Sequence, residues 1–219
     1  MAERKIRTYT SDDVAVTYDL KRCIHARECV KGLPAVFDVN KRPWIQPDQA
    51  TADEVAEVVQ RCPTGALHFI RKDGGDAEPT PDENNINIVA DGPLYVHGDI
   101  TLKHINGDTM LNDMRIALCR CGQSGDKPFC DNSHKDAGFT ADGLIPEDKR
   151  MVEASESGGK LDITPGTNGP LALSGNFTIT DATGETVFSG DKCWLCRCGA
   201  SANKPFCDGT HNKIDFEAE

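Results

Sequence analysis

The sequence predicts an α+β chain of small modules: an N-terminal domain of strands and a helix, then two short β-rich units that repeat one another. Three observations lead there. Sixteen residues, CRCGQSGDKPFCDNSH from Cys119 to His134, return as CRCGASANKPFCDGTH from Cys196 to His211. An acidic stretch, DGGDAEPTPDENN from Asp73 to Asn85, separates that repeat from what precedes it. Ten cysteines among 219 residues accompany only 38% hydrophobic and 6% aromatic content. That is thin material for one deep core, and it suits small domains stabilised partly by something other than apolar burial.

The N-terminal domain spans residues 1–72. Strands are expected at Val14–Tyr18, Val36–Val39 and Leu67–Ile70. Thr51 followed by Glu54 forms a capping box. Val55, Val58, Val59 and Cys62 then recur at helical spacing, and Pro63 ends the helix. Residues 73–85 carry acids, prolines and glycines with almost nothing to bury, so they read as a linker. The first repeat unit occupies 86–140, a polar connector 141–161, and the second unit 162–219.

The repeat keeps one offset. Cys119 and Cys196, Cys130 and Cys207, His134 and His211, Gly98 and Gly175, and Phe139 and Phe216 are all 77 positions apart. Leu94–Val96 and Leu171–Leu173 follow a Gly-Pro turn and read as strands. Phe177–Ile179 and Thr186–Phe188 flank Asp181–Gly184 as a hairpin, with the same outline around Asn106–Gly107 in the first copy. Each unit is therefore expected to be a small antiparallel β unit carrying the cysteine loop.

The net charge of -11 is uneven. Residues 1–73 hold 12 basic and 11 acidic side chains, a sum of +1, which leaves -12 for residues 74–219. Such a C-terminal surface repels phosphate, so nucleic-acid binding is excluded from the expectation. No run of eighteen apolar residues or lipidation signal points to a membrane. The absence of a leader, with ten cysteines, leads us to expect a reducing cytoplasmic setting and metal-bound thiolates rather than disulfides.

Each copy spells Cys-x-Cys, eight residues, Cys, three residues, His. Three thiolates and one imidazole satisfy one tetrahedral zinc, or the four protein positions of a 2Fe-2S rhomb. Structural zinc sites usually separate their first two cysteines by two to four residues; the one-residue gap here weighs against zinc. The pattern resembles the CDGSH iron-sulfur proteins, the mitoNEET-type family. Its signature reads Cys119, Cys121, Ser124, Pro128, Cys130, Asp131, Asn132, Ser133, His134, and again Cys196, Cys198, Ser201, Pro205, Cys207, Asp208, Gly209, Thr210, His211. Asn132 stands where the family has glycine, and Asn tolerates left-handed backbone angles.

The resemblance implies two 2Fe-2S clusters. One would be held by Cys119, Cys121, Cys130 and His134, the other by Cys196, Cys198, Cys207 and His211. Family members with one motif form homodimers, so two motifs in one chain imply a monomer with an internal pseudo-two-fold. Ser124 and Ser201 are expected to hydrogen-bond cluster sulfur or fix the ligand loop. Asp131 and Asp208 are expected to cap a short helix starting at the third cysteine. Cys193, whose counterpart is Ile116, is expected to be a buried free thiol.

Before the linker, CIHAREC (Cys23–Cys29) and a Cys62-Pro63 junction resemble the divergent single-cluster ferredoxin domain found beside CDGSH units. Relative to the bacterial ferredoxin loop, the central cysteine is Ala26. Cys23, Cys29 and Cys62 then suit a 3Fe-4S cluster; a 4Fe-4S cluster completed by His25 is the alternative. Lys21, Arg22, Arg27 and Lys31 surround this loop, either as a docking face or as the solvated side of a short helix. No nucleotide loop, flavin fingerprint or nucleophile-base pair supports an active site. The expected function is one-electron transfer with a protein redox partner. Cluster storage, sensing or transfer to an apo-acceptor is the alternative.

Overall fold

The computed structural model describes residues 5–153 and 158–218. The chain divides into two compact units, Met1–Pro79 and Thr80–Glu219. No helix among the described residues is long and apolar enough to cross a membrane.

In the first unit, β1 (Ile6–Thr10), β2 (Val14–Asp19) and β3 (Leu67–Arg71) form an antiparallel sheet with β2 central. One short helix, α1 (Glu28–Gly32), closes the cysteine loop and contains Cys29, and a longer one, α2 (Ala52–Gln60), precedes Cys62. The capping box at Thr51 and Glu54 is formed, and α2 buries Val55, Val58 and Val59 against the sheet. Thr51→Ala should cost about 1 kcal/mol. A urea titration read by Trp44 fluorescence in a Trp194→Phe background measures it, and an unchanged midpoint would contradict the capping role. The strand expected at Val36–Val39 is absent. Among the described residues it pairs by one bridge, Phe37 to Ile45, because the chain turns back at once and Asp38 N–H bonds Trp44 O.

The second unit is a small barrel, and both repeats share its core. Its strands are β4 (Asn85–Ile88), β5 (Leu94–Lys103), β6 (Thr109–Leu118), β7 (Met151–Val152), β8 (Gly158–Pro165), β9 (Leu171–Thr180) and β10 (Thr186–Leu195). β5 pairs with β6 along one edge; along the other it meets β4 antiparallel and then β8 parallel. By the same symmetry β9 pairs with β10 on one edge, and on the other with β8 antiparallel and β4 parallel. The first strand of each repeat thus lies between its own hairpin and that of the other repeat. Within each repeat the pairings are antiparallel, as expected; the parallel pairings, β4 with β9 and β5 with β8, join one repeat to the other. Ile86, Ile88, Leu94, Leu102, Leu161, Leu171, Phe177 and Ile179 fill one continuous core.

The acidic segment 73–85 does not behave as a bare linker. Asp73 pairs with Arg71, and Glu78 lies 2.8 Å from His68 Nδ1. Asn84 is fully buried; its amide donates to Gly159 O and Asn176 O and accepts from Asp99 N–H. It holds the crossing point of the exchanged strands. The expected connector likewise includes part of β8, where Leu161 is fully buried.

Candidate metal centres

In each repeat the cysteine loop folds back on the strand that launches it. Cys119 N–H bonds Pro128 O and Cys130 N–H bonds Ala117 O, which brings the third cysteine beside the first two. Cys196 with Pro205 and Cys207 with Trp194 repeat the pattern. Cys119 and Cys121 place their sulfurs 3.7 Å apart, as do Cys196 and Cys198. Cys130 Sγ lies 3.5 Å from His134 Nδ1, and Cys207 Sγ lies 3.4 Å from His211 Nδ1. Metal-sulfur bonds of about 2.3 Å and metal-nitrogen bonds of about 2.0–2.1 Å at tetrahedral angles give separations of roughly 3.5–3.8 Å. Among the described residues, no three His, Cys, Asp or Glu side chains converge on one ion position. The donors come in pairs.

The loop side chains work mainly on the loop. Ser124 Oγ donates to Phe129 O at 2.7 Å and accepts from Asp126 N–H; Ser201 does the same with Phe206 O and Asn203 N–H. The hydroxyls fix the loop. The helical turns begin at Ser133 and Thr210, later than expected, so Asp131 and Asp208 stand one residue before the cap. Each carboxylate still takes two N–H donors: Gly125 and Ser133 for Asp131, Ala202 and Thr210 for Asp208. The Thr210 hydroxyl with these N–H groups holds the Asp208 carboxyl below the ordinary range; at Asp131 burial pushes the other way, and the Ser133 hydroxyl with the N–H groups outweighs it. Asn132 takes φ +76° and Gly209 +81°, so asparagine meets the left-handed requirement.

Two residues that sequence reasoning passed over are Arg120 and Arg197, the middle letters of the two Cys-x-Cys pairs. Each is only 1% exposed. Arg120 donates to Gly92 O, Val89 O and Ala141 O. Arg197 donates to Gly169 O, Gly166 O and Ala218 O. Arg120 lies over the Phe139 ring and Arg197 over Phe216. Their identical place in both copies was the available signal. Each guanidinium also feels a thiol of the other repeat: Cys196 for Arg120, Cys119 for Arg197. The loops touch directly, because a Cβ on Gly122 would stand 2.5 Å from Cys198 O, and one on Gly199 2.5 Å from Cys121 O.

The two sites differ in cover. Cys130 and His134 are buried, whereas Cys207 and His211 are partly exposed. Cys193 is buried, and burial pushes its thiol up to about 12. It should resist iodoacetamide at pH 8 in the folded protein and react only after denaturation. Peptide mass spectrometry tests this; alkylation of the native chain at Cys193 would refute it.

In the first unit, Cys23, Ala26, Cys29 and Cys62 line one cavity together with His25 and Thr64. The loop achieves this with left-handed residues at His25 and Arg27. Burial, then the nearby Cys62 and Cys23, push the Cys29 thiol up to about 11. His25 is exposed, with Nδ1 3.9 Å from Cys23 Sγ. Arg22 does not belong to a docking face: it is buried and its guanidinium reaches Thr64 O, tying the loop to the Cys62-Pro63 junction.

Two family profiles match the chain. "Divergent 4Fe-4S mono-cluster" covers residues 9–72, and "Iron-binding zinc finger CDGSH type" covers 91–135 and again 168–212. This is a tandem CDGSH protein with a divergent ferredoxin domain ahead of it. The tandem CDGSH protein is also similar to the Escherichia coli protein YjdI, described as uncharacterized, in strains K12 and O157:H7. The identity is 35% over 66 residues, 30% of this chain and 87% of that protein. Both matched families are metal-binding, electron-carrier modules rather than catalysts, and the chain is an iron-sulfur-binding protein of this type.

Proposed function

We propose that this CDGSH protein is a one-electron carrier holding three clusters. Two are 2Fe-2S clusters on Cys119, Cys121, Cys130, His134 and on Cys196, Cys198, Cys207, His211. The third is a 3Fe-4S cluster on Cys23, Cys29 and Cys62, with 4Fe-4S completed by His25 as the alternative. The observation that carries this is the pairing of donors, two sulfurs at 3.7 Å and a sulfur with an imidazole nitrogen at 3.4–3.5 Å in each loop. A rhomb needs two protein donors per iron, whereas one zinc needs four at a point. A bound cluster supplies a one-electron couple. The chain's part is to hold thiolates in buried loops, direct Gln123 N–H to Cys121 Sγ and Gly209 N–H to Cys207 Sγ, and offset negative charge with Arg120 and Arg197.

The ferredoxin domain favours electron transfer, since storage has no use for it. The partial exposure of Cys207 and His211 supports a second reading, release of the second cluster to an apo-acceptor. The exchanged strands support a monomer, and we place it in the cytoplasm with a protein redox partner and neither nucleic acid nor membrane.

EPR on anaerobically purified protein, before and after dithionite, with iron and sulfide counted, tests the set. The expectation is about seven irons and eight sulfides per chain, with a signal near one spin in the oxidised state. Eight irons and silence when oxidised would transfer the assignment to 4Fe-4S with His25. Colourless protein with stoichiometric zinc would overturn the proposal.

A further inference from the structure

The ferredoxin unit carries a feature that cluster binding alone does not use. Beside the Cys23–Cys29 loop runs an open groove of about 900 Å³. Tyr9, Tyr18 and Trp44 line it, with Cys23 and Cys29 at its wall. Leu20 and Val39, 54% and 57% exposed, also line it. Its charged side chains are Arg7, Arg27 and Arg42, joined by His25, and among the described residues no Asp or Glu lines it. Residues 1–73 sum to only +1, so this all-cationic lining gathers positive charge on one face of a nearly neutral unit. Arg42 is tied to Val39 O and Lys41 O, which keeps its charge at the groove.

We propose that this groove is the docking site for an acidic one-electron protein partner, whose projecting apolar side chain, flanked by carboxylates, seats against Leu20, Val39 and Trp44. This rests on the reading of Cys23, Cys29 and Cys62 as cluster ligands. Charge complementarity selects the occupant. Three guanidiniums without a lining carboxylate attract an acidic face and repel a basic one, and such fields set encounter rate and orientation. The exposed aliphatic residues give an encounter complex something to dehydrate. A partner seated here lies against Cys23 and Cys29, so one electron passes from the reduced partner to the cluster, the partner is oxidised by one electron, and no bond is made or broken.

The test uses the loaded full chain and reduced flavodoxin, a small acidic one-electron donor, as probe. Freeze-quench EPR follows the N-terminal cluster. The rate should fall at least tenfold between about 0.01 M and about 1 M salt, as the Debye length shrinks from about 30 Å to about 3 Å. At low salt, Arg7→Glu with Arg42→Glu should lose a similar factor, and Val39→Asp should slow the reaction separately. The resting EPR signal and iron content should not change. A salt-independent rate, or charge-reversed protein reduced as fast as the parent, overturns the proposal. If free flavin mononucleotide quenches Trp44 in a Trp194→Phe background and Arg7→Glu abolishes this, the groove is a nucleotide pocket and the docking proposal falls. Absence of any N-terminal cluster signal would instead overturn the ligand assignment beneath it.

Discussion

Gly122→Ala is expected to disrupt both CDGSH sites at once. Gly122 has φ +79°, and its new Cβ would stand 2.5 Å from Cys198 O and 2.9 Å from Cys198 C. The obstacle is backbone, held in a loop that Cys196 N–H and Cys207 N–H anchor to its own strand. Two penalties combine. A left-handed non-glycine residue costs about 1–2 kcal/mol. An overpacked contact costs about 1–3 kcal/mol more. Gly107 provides the control, because it has φ +92° and nothing within 4 Å of its Cβ. Gly107→Ala should carry the conformational penalty alone. Thermal unfolding and iron counted per chain read the difference. Gly122→Ala should lose iron from both repeats, and Gly199→Ala, whose Cβ meets Cys121 O, should mirror it. If Gly122→Ala keeps full iron and unfolds with Gly107→Ala, the contact between loops is not a constraint.

That constraint marks where the sequence stopped being legible. The 77-residue offset, the ligand spacing and the hairpins could be read because each is local, and β5–β6 and β9–β10 lie where the patterns placed them. Exchange of β4 and β8 could not be read. A strand that pairs antiparallel with its own hairpin and parallel with another has the same alternation as one that does neither. Asn84 shows the cost of reading by composition. It sits among acids, prolines and glycines, yet it is fully buried at the strand crossing with three side-chain hydrogen bonds. The ligand residues announced themselves by type, while the arginines between the cysteines went unremarked. Burial was the missing information, and only the fold supplies it.

Those arginines carry the other large expected effect. Arg120→Met removes hydrogen bonds to three carbonyls, those of Gly92, Val89 and Ala141, and leaves them facing an apolar side chain. Leaving a buried acceptor unpaired costs about 1–3 kcal/mol. Arg120→Lys keeps the charge but not the planar fork, so it should recover only part of the stability. Redox behaviour separates charge from scaffolding. Arg120 is within electrostatic reach of the Cys196 thiol of the other repeat as well as of its neighbour Cys121. Removing a positive charge makes an added electron less favourable, so the potential falls. A charge effect of about 1–2 kcal/mol, reasonable at an effective dielectric near 20, corresponds to a drop of about 40–90 mV for one electron. The drop should be larger at the second site for Arg120→Met and larger at the first for Arg197→Met, because Arg197 faces Cys119. Potentiometric EPR resolves the two sites, and the lysine variants should leave both potentials near the parent values. Equal shifts, or a shift confined to the substituted repeat, would mean that each arginine serves its own loop only. Crossed shifts would show that the pseudo-two-fold couples the two sites electrostatically as well as by backbone contact.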